Sequence, residues 1–272
     1  MQAVWVNGIP TDQIKVTDRG FCYGDGVFET IAVVDGRPQL LSQHLNRMRS
    51  SLERLGFPEA IESVIESDLA LLSFQGDQTL KLIVTRGNGF RGYMPPQEVS
   101  ATRVMTLTDR VINYDRADQG VVTRLCDYRL PLNPVLAQLK HLNRLDQIMA
   151  RNEWHDPNIA EGIMLDAEGF LIEGTMSNLF WFNSVAGELQ TPLIDRCGVK
   201  GVMRDHIISL SHREGVRVVE GRFAPSVLSE ASEAFICNSL IGIWPIVALD
   251  HNHYKIGSIT RKLQSILARE LD

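Results

Sequence analysis

The first candidate for a chemically active residue is Lys140, because of its residue type and its sequence surroundings. It falls in a stretch where apolar residues recur at three- and four-residue intervals: Leu142, Leu145, Ile148 and Met149. That period predicts an amphipathic helix over residues 135–150, with Lys140 at the edge of its apolar face. A lysine there either extends its amine into water or keeps it desolvated, and a desolvated amine serves as a nucleophile or a base.

A carboxylate in an apolar run is the second candidate. Glu173 and Asn178 interrupt "FLIEGTMSNLFWF", which otherwise has the composition of a buried strand. A charged carboxylate in such a place costs free energy unless a partner compensates it. Glu173 is therefore either a turn residue facing water, next to Gly174, or a carboxylate that pairs with a buried cationic ligand.

Three further features suit an anion. Gly198 and Gly201 precede a helix that begins in "GVMRDH", and free amides at a helix start after a glycine turn form an anion site. Asn238 and Ser239, at the end of a predicted strand, are hydrogen-bond donors suited to a phosphate. Arg47 adds a cation on the first long helix, although an exposed helix arginine is usually solvated.

Together, the lysine, the carboxylate, the anion site and the arginine predict pyridoxal phosphate as the cofactor. This group needs an amine for its aldehyde, an acid for its ring nitrogen and donors for its phosphate. No metal is predicted, because His251 and His253 have no acidic cluster to complete a set of three or four ligands. "GDG" at 24–26 lacks the full dinucleotide-binding pattern, and no G-x-S-x-G serine motif occurs.

The composition is that of a soluble globular protein, with 44% hydrophobic and 22% charged residues. At 272 residues the chain can bury a full core in one large domain or two modest ones. The net charge of −6 argues against a nucleic-acid partner, and no apolar run reaches the length of a membrane span. Scattered cysteines and a first stretch without a secretion signal predict a cytoplasmic protein.

Strand and helix patterns alternate along the chain and predict an α/β or α+β protein. Hairpin turns are predicted at "NG" and "DG", the first between strands "AVWV" and "IKVT". A helix is predicted in "SQHLNRMRSSLERLG", with Ser42 as N-cap and Gly56 as C-cap, and a second one over 58–74.

A polar, aperiodic stretch marks the predicted domain boundary. Residues 109–119, "DRVINYDRADQ", are interpreted as a linker. The linker separates a smaller amino-terminal α/β domain, residues 1–108, from a larger carboxyl-terminal domain, residues 120–272, which contains most of the candidate site. No repeat of 20 to 50 residues is present, so a solenoid is not expected.

Motifs in a fixed order along nearly the whole chain resemble those of the fold-type IV pyridoxal-phosphate enzymes. This class contains the branched-chain and D-amino-acid transaminases and the aminodeoxychorismate lyases. The matching motifs are "VNG", "DRGFCYGDGVFET", "HLNRM", "RGNGFRGY", "LKHLNRLDQ", "EGTMSNLF", "GVKGVMR" and "CNSL". The resemblance implies a two-domain fold whose larger, barrel-like domain binds the cofactor, and it implies a homodimer.

The resemblance also implies a role for each matching position. Lys140 is the expected lysine that binds the cofactor's aldehyde, and Glu173 is the carboxylate that keeps the pyridine nitrogen protonated. Arg47 is the expected phosphate-binding arginine of the H-x-x-R helix. Four positions are expected to supply the other phosphate contacts: the backbone amides of Val202 and Met203 and the side chains of Asn238 and Ser239.

Within the class, "KHLNRL" and "TRGNGFRGY" are most similar to the lyases, which convert 4-amino-4-deoxychorismate to 4-aminobenzoate and pyruvate. Met203 stands where transaminases often have threonine. Asn143 and Arg144 stand where branched-chain transaminases have tyrosine, and "ATRVMTLT" lacks the Arg-x-His of the D-amino-acid branch. This small-molecule substrate carries two carboxylates, for which Arg91 and Arg144 are the candidate ligands. The alternatives are an aminotransferase on the same fold and, more distantly, a non-catalytic relative that serves as an interaction module.

Overall fold

The structure is a computed structural model of the chain. It describes residues 2–59, 61–89, 92–98 and 100–271. Arg91, one of the two candidate substrate ligands, lies outside the described residues, so its role stays a prediction. None of the helices within the described ranges has the length and hydropathy that crossing a membrane requires.

The described residues divide into two compact units. The first contains the chain up to Val111 together with the short segment Leu139–Asn143. The second contains Ile112–Gln138 and the chain from Arg144 onward. The division after Val111 falls inside the stretch predicted as a linker, whereas the segment that carries Lys140 belongs to the first unit despite its later position in the sequence.

The first unit is built on a six-stranded sheet. Its elements, in chain order, are β1 (Gln2–Val6), β2 (Ile9–Pro10), α1 (Arg19–Tyr23), β3 (Gly26–Val34), β4 (Arg37–Pro38), α2 (Leu41–Arg54), α3 (Ile61–Leu69), β5 (Gln78–Thr85) and β6 (Thr102–Asp109). The strand order is β2-β1-β6-β5-β3-β4, and every neighbouring pair is antiparallel. Met48 of α2 and Ile65 of α3 pack in one buried apolar cluster with Leu80 and Leu82 of β5.

Both predicted hairpin turns are confirmed. Asn7 and Asp35 have φ angles of 53° and 47°, and the glycine that follows each is also at positive φ. Asn-Gly and Asp-Gly tolerate this left-handed backbone at little cost, so the local sequence is sufficient to specify the turns. The strand predicted from "IKVT" is wrong, because residues 11–17 have no strand partner and Val16 is 76% exposed.

The predicted helices of this unit are confirmed with different bounds. The α2 helix begins at Leu41, after a left-handed Leu40, so Ser42 lies inside the helix and is not its N-cap. Gly56 follows the helix at a φ of 70°, the conformation expected of a glycine at a helix end. The helix predicted over 58–74 is limited to α3.

The second unit is built on a nine-stranded mixed sheet. Its elements are α4 (Tyr114–Gln119), β7 (Val121–Leu130), α5 (Leu145–Arg151), β8 (Ile159–Asp166), β9 (Leu171–Gly174), β10 (Asn178–Asn183), β11 (Glu188–Pro192), α6 (Val202–Arg213), β12 (Arg217–Gly221), a 3₁₀ helix (Pro225–Ser229), β13 (Glu233–Asn238), β14 (Gly242–Leu249), β15 (Asn252–His253) and α7 (Ser258–Leu271). The strand order is β12-β11-β10-β13-β14-β7-β8-β9, with β15 paired to β14. The strand pairs β7–β8, β7–β14 and β11–β12 are parallel. The helix α4 was not predicted, because its polar residues have no apolar period.

The helix predicted over residues 135–150 is wrong for its first ten residues. Only α5, from Leu145, is helical there. The preceding backbone pairs with β3 instead, because Phe28 N donates to Lys140 O at 2.9 Å and Leu142 N donates to Gly26 O at 3.0 Å. These hydrogen bonds replace the i to i+4 bonds of a helix, so tertiary pairing overrides the local period.

Candidate active site

Lys140 lies in an extended segment beside β3. Its neighbour His141 forms an antiparallel bridge with Val27, which fixes the direction of the segment. The Lys140 side chain is half-buried, and Nζ lies 4.5 Å from the centroid of the Phe28 ring. The Phe28 ring covers one side of the amine, so the Lys140 side chain is partly shielded from water and is not fully solvated.

Arg47 is held side-on by a buried carboxylate in the same unit. Its Nε donates to Glu29 Oε1 at 2.8 Å and its Nη2 donates to Oε2 at 2.5 Å. His44 Nδ1 lies 2.6 Å from the same Oε2, and both Glu29 and His44 are 1% exposed. Burial raises the pKa of the Glu29 carboxyl, but the charge of Arg47 and the hydrogen bonds from His44 and Arg47 bring it below its ordinary value. Glu29 is therefore an anion at neutral pH.

The sequence prediction included Arg47 but neither Glu29 nor His44. Glu29 gives the same signal as Glu173, since it is a carboxylate in an otherwise apolar strand, "GVFETIAVV". His44 precedes Arg47 by three residues, so both side chains lie on one face of α2. The spacing of His44 and Arg47 shows that they share a helix face, but the sequence does not show that this face meets Glu29.

Glu173 lies on β9 in the second unit and is 4% exposed, which excludes the alternative of a turn residue facing water. β9 pairs antiparallel with β8, where Glu173 is opposite Met164. Its Oε2 accepts a hydrogen bond from Val199 N at 2.9 Å. Gly198, just before Val199, has a φ of 85°, and a Cβ there would lie 2.7 Å from Ile172. Glycine at this turn therefore permits the close approach to the carboxylate.

Gln138 and Asn178 fix the loop that contacts Glu173. Gln138 N donates to Gly198 O at 2.8 Å, and Lys200 N donates to Gln138 O at 3.2 Å. Asn178 Nδ2 donates to Val199 O at 3.0 Å. The loop backbone is thereby hydrogen-bonded to Asn178 of β10 and to the backbone of Gln138. The Val199 amide that faces Glu173 therefore has a defined position.

The first turn of α6 presents backbone amides, as predicted. Val202 and Met203 form this turn and both are buried. The N-cap is Gly201, and no side chain of the described residues caps the helix. A Cβ at Gly201 would lie 2.0 Å from Asn178 Oδ1, so a larger residue would displace that amide. The first amides of a helix lack intrahelical acceptors and carry the positive end of its dipole, so this turn suits an anion.

The two predicted donors at the end of β13 differ in whether their polar atoms are already hydrogen-bonded. Asn238 Oδ1 accepts from the backbone amides of Leu240 and Ile241 at 2.9 and 3.0 Å. Its Nδ2 donates to Met176 O at 3.0 Å, so this side chain shapes the turn and ties it to the loop after β9. Ser239 is half-buried, and its hydroxyl has no hydrogen-bond partner within the described ranges. Ser239 is therefore the better placed of the two to bind a ligand.

Glu161, which the sequence prediction missed, organises the loop after β9. This buried carboxylate accepts hydrogen bonds from Thr175 N at 3.1 Å, Thr175 Oγ1 at 2.5 Å, Met176 N at 3.2 Å and Ser177 Oγ at 2.8 Å. Together with Gly162 N, which donates at 2.9 Å, five donors compensate the charge, which explains how the carboxylate can be 2% exposed. The loop it holds begins two residues after Glu173.

Arg144, the residue before α5, interacts electrostatically with Glu173. Burial lowers the pKa of its guanidinium, and the charges of Glu173 and Asp146 raise it. The group stays cationic at neutral pH because guanidinium does not lose its proton in proteins. The structure thus brings one candidate substrate ligand within electrostatic range of the candidate cofactor carboxylate.

This donor set fits pyridoxal phosphate. Within the second unit lie a buried carboxylate at Glu173, the first amides of α6 and the Ser239 hydroxyl. Within the first unit lie a half-buried amine at Lys140 and a guanidinium at Arg47 that is oriented by Glu29. These are the groups that an aldehyde, a basic ring nitrogen and a phosphate require.

The chain belongs to the amino-transferase class IV family, whose model matches residues 26–249. The fold is that of the fold-type IV enzymes, as predicted, and enzymes of this family use pyridoxal phosphate. A solved 4-amino-4-deoxychorismate lyase from Pseudomonas aeruginosa is 43% identical, with a TM-score of 0.92 over 99% of each chain.

Two curated relatives represent both branches considered from the sequence. An aminodeoxychorismate lyase of Vibrio harveyi is 33% identical over 97% of this chain and 98% of its own length. A provisionally assigned branched-chain-amino-acid aminotransferase of Methanocaldococcus jannaschii is 30% identical over 96% of this chain and 93% of its own. The family therefore holds both lyases and aminotransferases, as the sequence motifs indicated.

Proposed function

We propose that this protein is an aminodeoxychorismate lyase, which converts 4-amino-4-deoxychorismate to 4-aminobenzoate and pyruvate in folate biosynthesis. The full-length similarity to the Pseudomonas aeruginosa lyase carries the proposal. The Vibrio harveyi relative supports it, and so do the replacements of transaminase signatures at Met203, Asn143 and Arg144.

When bound, pyridoxal phosphate supplies an aldehyde for the substrate's amino group and a ring that accepts electrons. In this proposal Lys140 binds the aldehyde carbon and Glu173 keeps a proton on the ring nitrogen. Arg47, the first amides of α6 and the Ser239 hydroxyl bind the phosphate. Asn238 orients the turn that carries Ser239.

Once the substrate's amino group has replaced the Lys140 amine on the aldehyde, that amine would be free to act as the base of the reaction. It removes the proton from the substrate carbon that bears nitrogen. The carbon–oxygen bond on the adjacent carbon breaks, and enolpyruvate leaves with that electron pair. The substrate ring becomes aromatic, which makes the step effectively irreversible. One proton is added to enolpyruvate to give pyruvate, which balances the proton that Lys140 removed.

We propose Arg144 and Arg91 as ligands of the substrate carboxylates. Arg144 is supported by its cationic charge and by its place in the sequence, four residues after Lys140. Arg91 is supported only by its place in the glycine-rich motif "RGNGFRGY". A raised KM for aminodeoxychorismate with little change in kcat would be the sign of such a ligand in alanine variants.

Borohydride reduction is expected to fix the cofactor covalently on Lys140. Lys81 is a matched control, because its Nζ also lies near the Phe28 ring, at 5.4 Å, but its side chain is exposed. Lys81→Ala should be labelled like the unchanged protein, and Lys140→Ala should not be labelled. Peptide mapping by mass spectrometry measures the position. A label on Lys81 or Lys200 would contradict the assignment of Lys140.

The function is tested by supplying aminodeoxychorismate and assaying both products together. The lyase should release 4-aminobenzoate and pyruvate in equal amounts, and Lys140→Ala should release neither. The aminotransferase alternative rests on the Methanocaldococcus jannaschii relative and on the cofactor contacts that both reactions share. Amino transfer to a keto acid without release of 4-aminobenzoate would favour that alternative.

We further propose that the protein is a cytoplasmic homodimer. The helix α5 exposes Leu145, Ile148 and Met149 by 73%, 51% and 53%, and a second copy would cover this apolar surface. The four cysteines are free thiols, which suits a reducing compartment. A monomer in sedimentation equilibrium, or an extracellular location in cell fractionation, would refute the respective proposal.

A further inference from the structure

We infer that Glu29 is a positioning residue for the cofactor phosphate, acting through Arg47. The inference rests on the proposed cofactor role of Arg47 and deepens it. Glu29 does not touch the ligand in this account. It fixes the plane of the guanidinium so that the ligand meets an arginine that is already oriented.

The hydrogen-bond geometry supplies the first argument. Arg47 uses Nε and Nη2, on one edge of its guanidinium, for the two oxygens of Glu29, at 2.8 and 2.5 Å. A fork of two parallel bonds fixes the rotation of the planar group as well as its distance. Two of the five N–H donors of Arg47 are used in this way. The opposite edge of the guanidinium therefore points away from the Glu29 carboxylate.

The Glu29 carboxylate is itself held by its surroundings. Glu29 lies in the middle of β3, where it is opposite Leu82 of β5, and it is 1% exposed. His44 donates to Oε2 from Nδ1 at 2.6 Å and holds that oxygen from a second direction. Since His44 and Arg47 both come from α2, the strand and the helix together define where the guanidinium lies.

The charge of Glu29 has an opposing effect that must be weighed. An anion beside Arg47 reduces the net positive potential that a phosphate would meet, which by itself weakens phosphate binding. Fixing a long, flexible side chain before the ligand arrives strengthens binding, because less freedom is lost on association. We expect orientation to dominate, since the bidentate contact is short and its carboxylate is buried. The two effects predict opposite outcomes when the charge of Glu29 is removed.

Cofactor titration of the full-length apoprotein separates these effects. Pyridoxal phosphate and pyridoxal differ only in the phosphate, so a residue that acts through Arg47 should affect only the first. Glu29→Gln is expected to weaken pyridoxal phosphate binding about tenfold, the scale of one charge-assisted hydrogen bond, and to change pyridoxal binding less than twofold. Glu53→Gln, on the exposed side of α2, is the matched control and should bind both ligands like the unchanged protein.

A double variant tests whether Glu29 acts through Arg47. Adding Glu29→Gln to Arg47→Ala should leave pyridoxal phosphate affinity within about twofold of Arg47→Ala alone, because the route through the guanidinium is already lost. Tighter phosphate binding in Glu29→Gln, or equal loss for both ligands, would overturn the inference. If Glu29→Gln does not fold, Glu29→Asp replaces it, since the shorter carboxylate keeps the charge but cannot reach both donors.

These outcomes are independent of whether the enzyme is a lyase. An aminotransferase would bind the same phosphate, so failure of the product assay would leave the Glu29 result interpretable. Failure of the Glu29 test would leave the lyase reaction and the role of Lys140 unaffected.

Discussion

The Glu173→Gln variant is expected to keep the cofactor but to lose turnover. A glutamine oxygen can still accept the hydrogen bond from Val199 N, so the loop at 198–200 should keep its position. An amide cannot stabilise a protonated ring nitrogen as a carboxylate does, so electrons are drawn less strongly from the substrate. We expect kcat to fall roughly 10²- to 10³-fold, the cost of removing one electrostatic contact to a transition state. Steady-state kinetics with the cofactor absorbance of the same sample measures both effects.

Glu168→Gln is the control for this variant. Glu168 lies in the turn after β8, close in sequence to Glu173, but it pairs with Arg196 at the surface. Its substitution should leave kcat unchanged. Full activity in Glu173→Gln would show that the carboxylate does not hold the ring nitrogen.

Arg47→Ala is expected to lower the free energy of unfolding as well as the affinity for the cofactor. Glu29 is 1% exposed in the unchanged protein, and the substitution leaves His44 as its remaining hydrogen-bond donor in the cluster. Removing one partner of a buried ion pair typically costs about 3–5 kcal/mol, because the other charge stays desolvated. Adding Glu29→Gln removes that charge and should recover part of the loss. Urea unfolding of the apoproteins measures both changes.

The stability loss of Arg47→Ala should depend on pH. In the folded, unchanged protein the pKa of Glu29 is below its ordinary value. Ionised Glu29 therefore contributes to the free energy of unfolding above the ordinary pKa, and this contribution is lost as the pH falls through the pKa of the folded state. Without Arg47 the effect of burial is opposed only by His44, and protonation of Glu29 relieves the buried charge. The deficit should therefore be smaller at pH 5 than at pH 7. Equal unfolding midpoints for the variant and the unchanged protein at both pH values would contradict the account.

The elements that the sequence predicts well are those specified by local interactions. The turns at Asn7 and Asp35 need a left-handed backbone, which only a few residue types accept, so composition is sufficient. The helices α2 and α3 lie where the apolar period predicts them, with different bounds. The stretch around Lys140 has an equally clear period, but its backbone pairs with β3, which lies more than a hundred residues earlier. The residues next to Lys140 in the sequence do not show that this segment pairs with β3.

The candidate site shows the same limit. Glu173 and Gly201 are recognisable because a charge in an apolar run and a glycine before a helix are each unusual in their own surroundings. The partners of Glu29 are 15 and 18 residues away on another element, so the cluster is visible only once the strand and helix are in place. The same holds for Glu161, whose donors other than Gly162 N follow it by 14 to 16 residues. Residues that bind a ligand are therefore easier to identify from the sequence than residues that orient the ligand-binding side chains.

The measurement that tests the lyase assignment most directly is turnover of aminodeoxychorismate without any keto acid. A lyase needs no second substrate, so we expect 4-aminobenzoate and pyruvate to be released in equal amounts over many turnovers while the cofactor stays in its aldehyde form. An aminotransferase would leave the cofactor as the amine after one turnover and would need a keto acid to continue. A single turnover that stalls with pyridoxamine phosphate, and resumes when 2-oxoglutarate or pyruvate is added, would contradict the account.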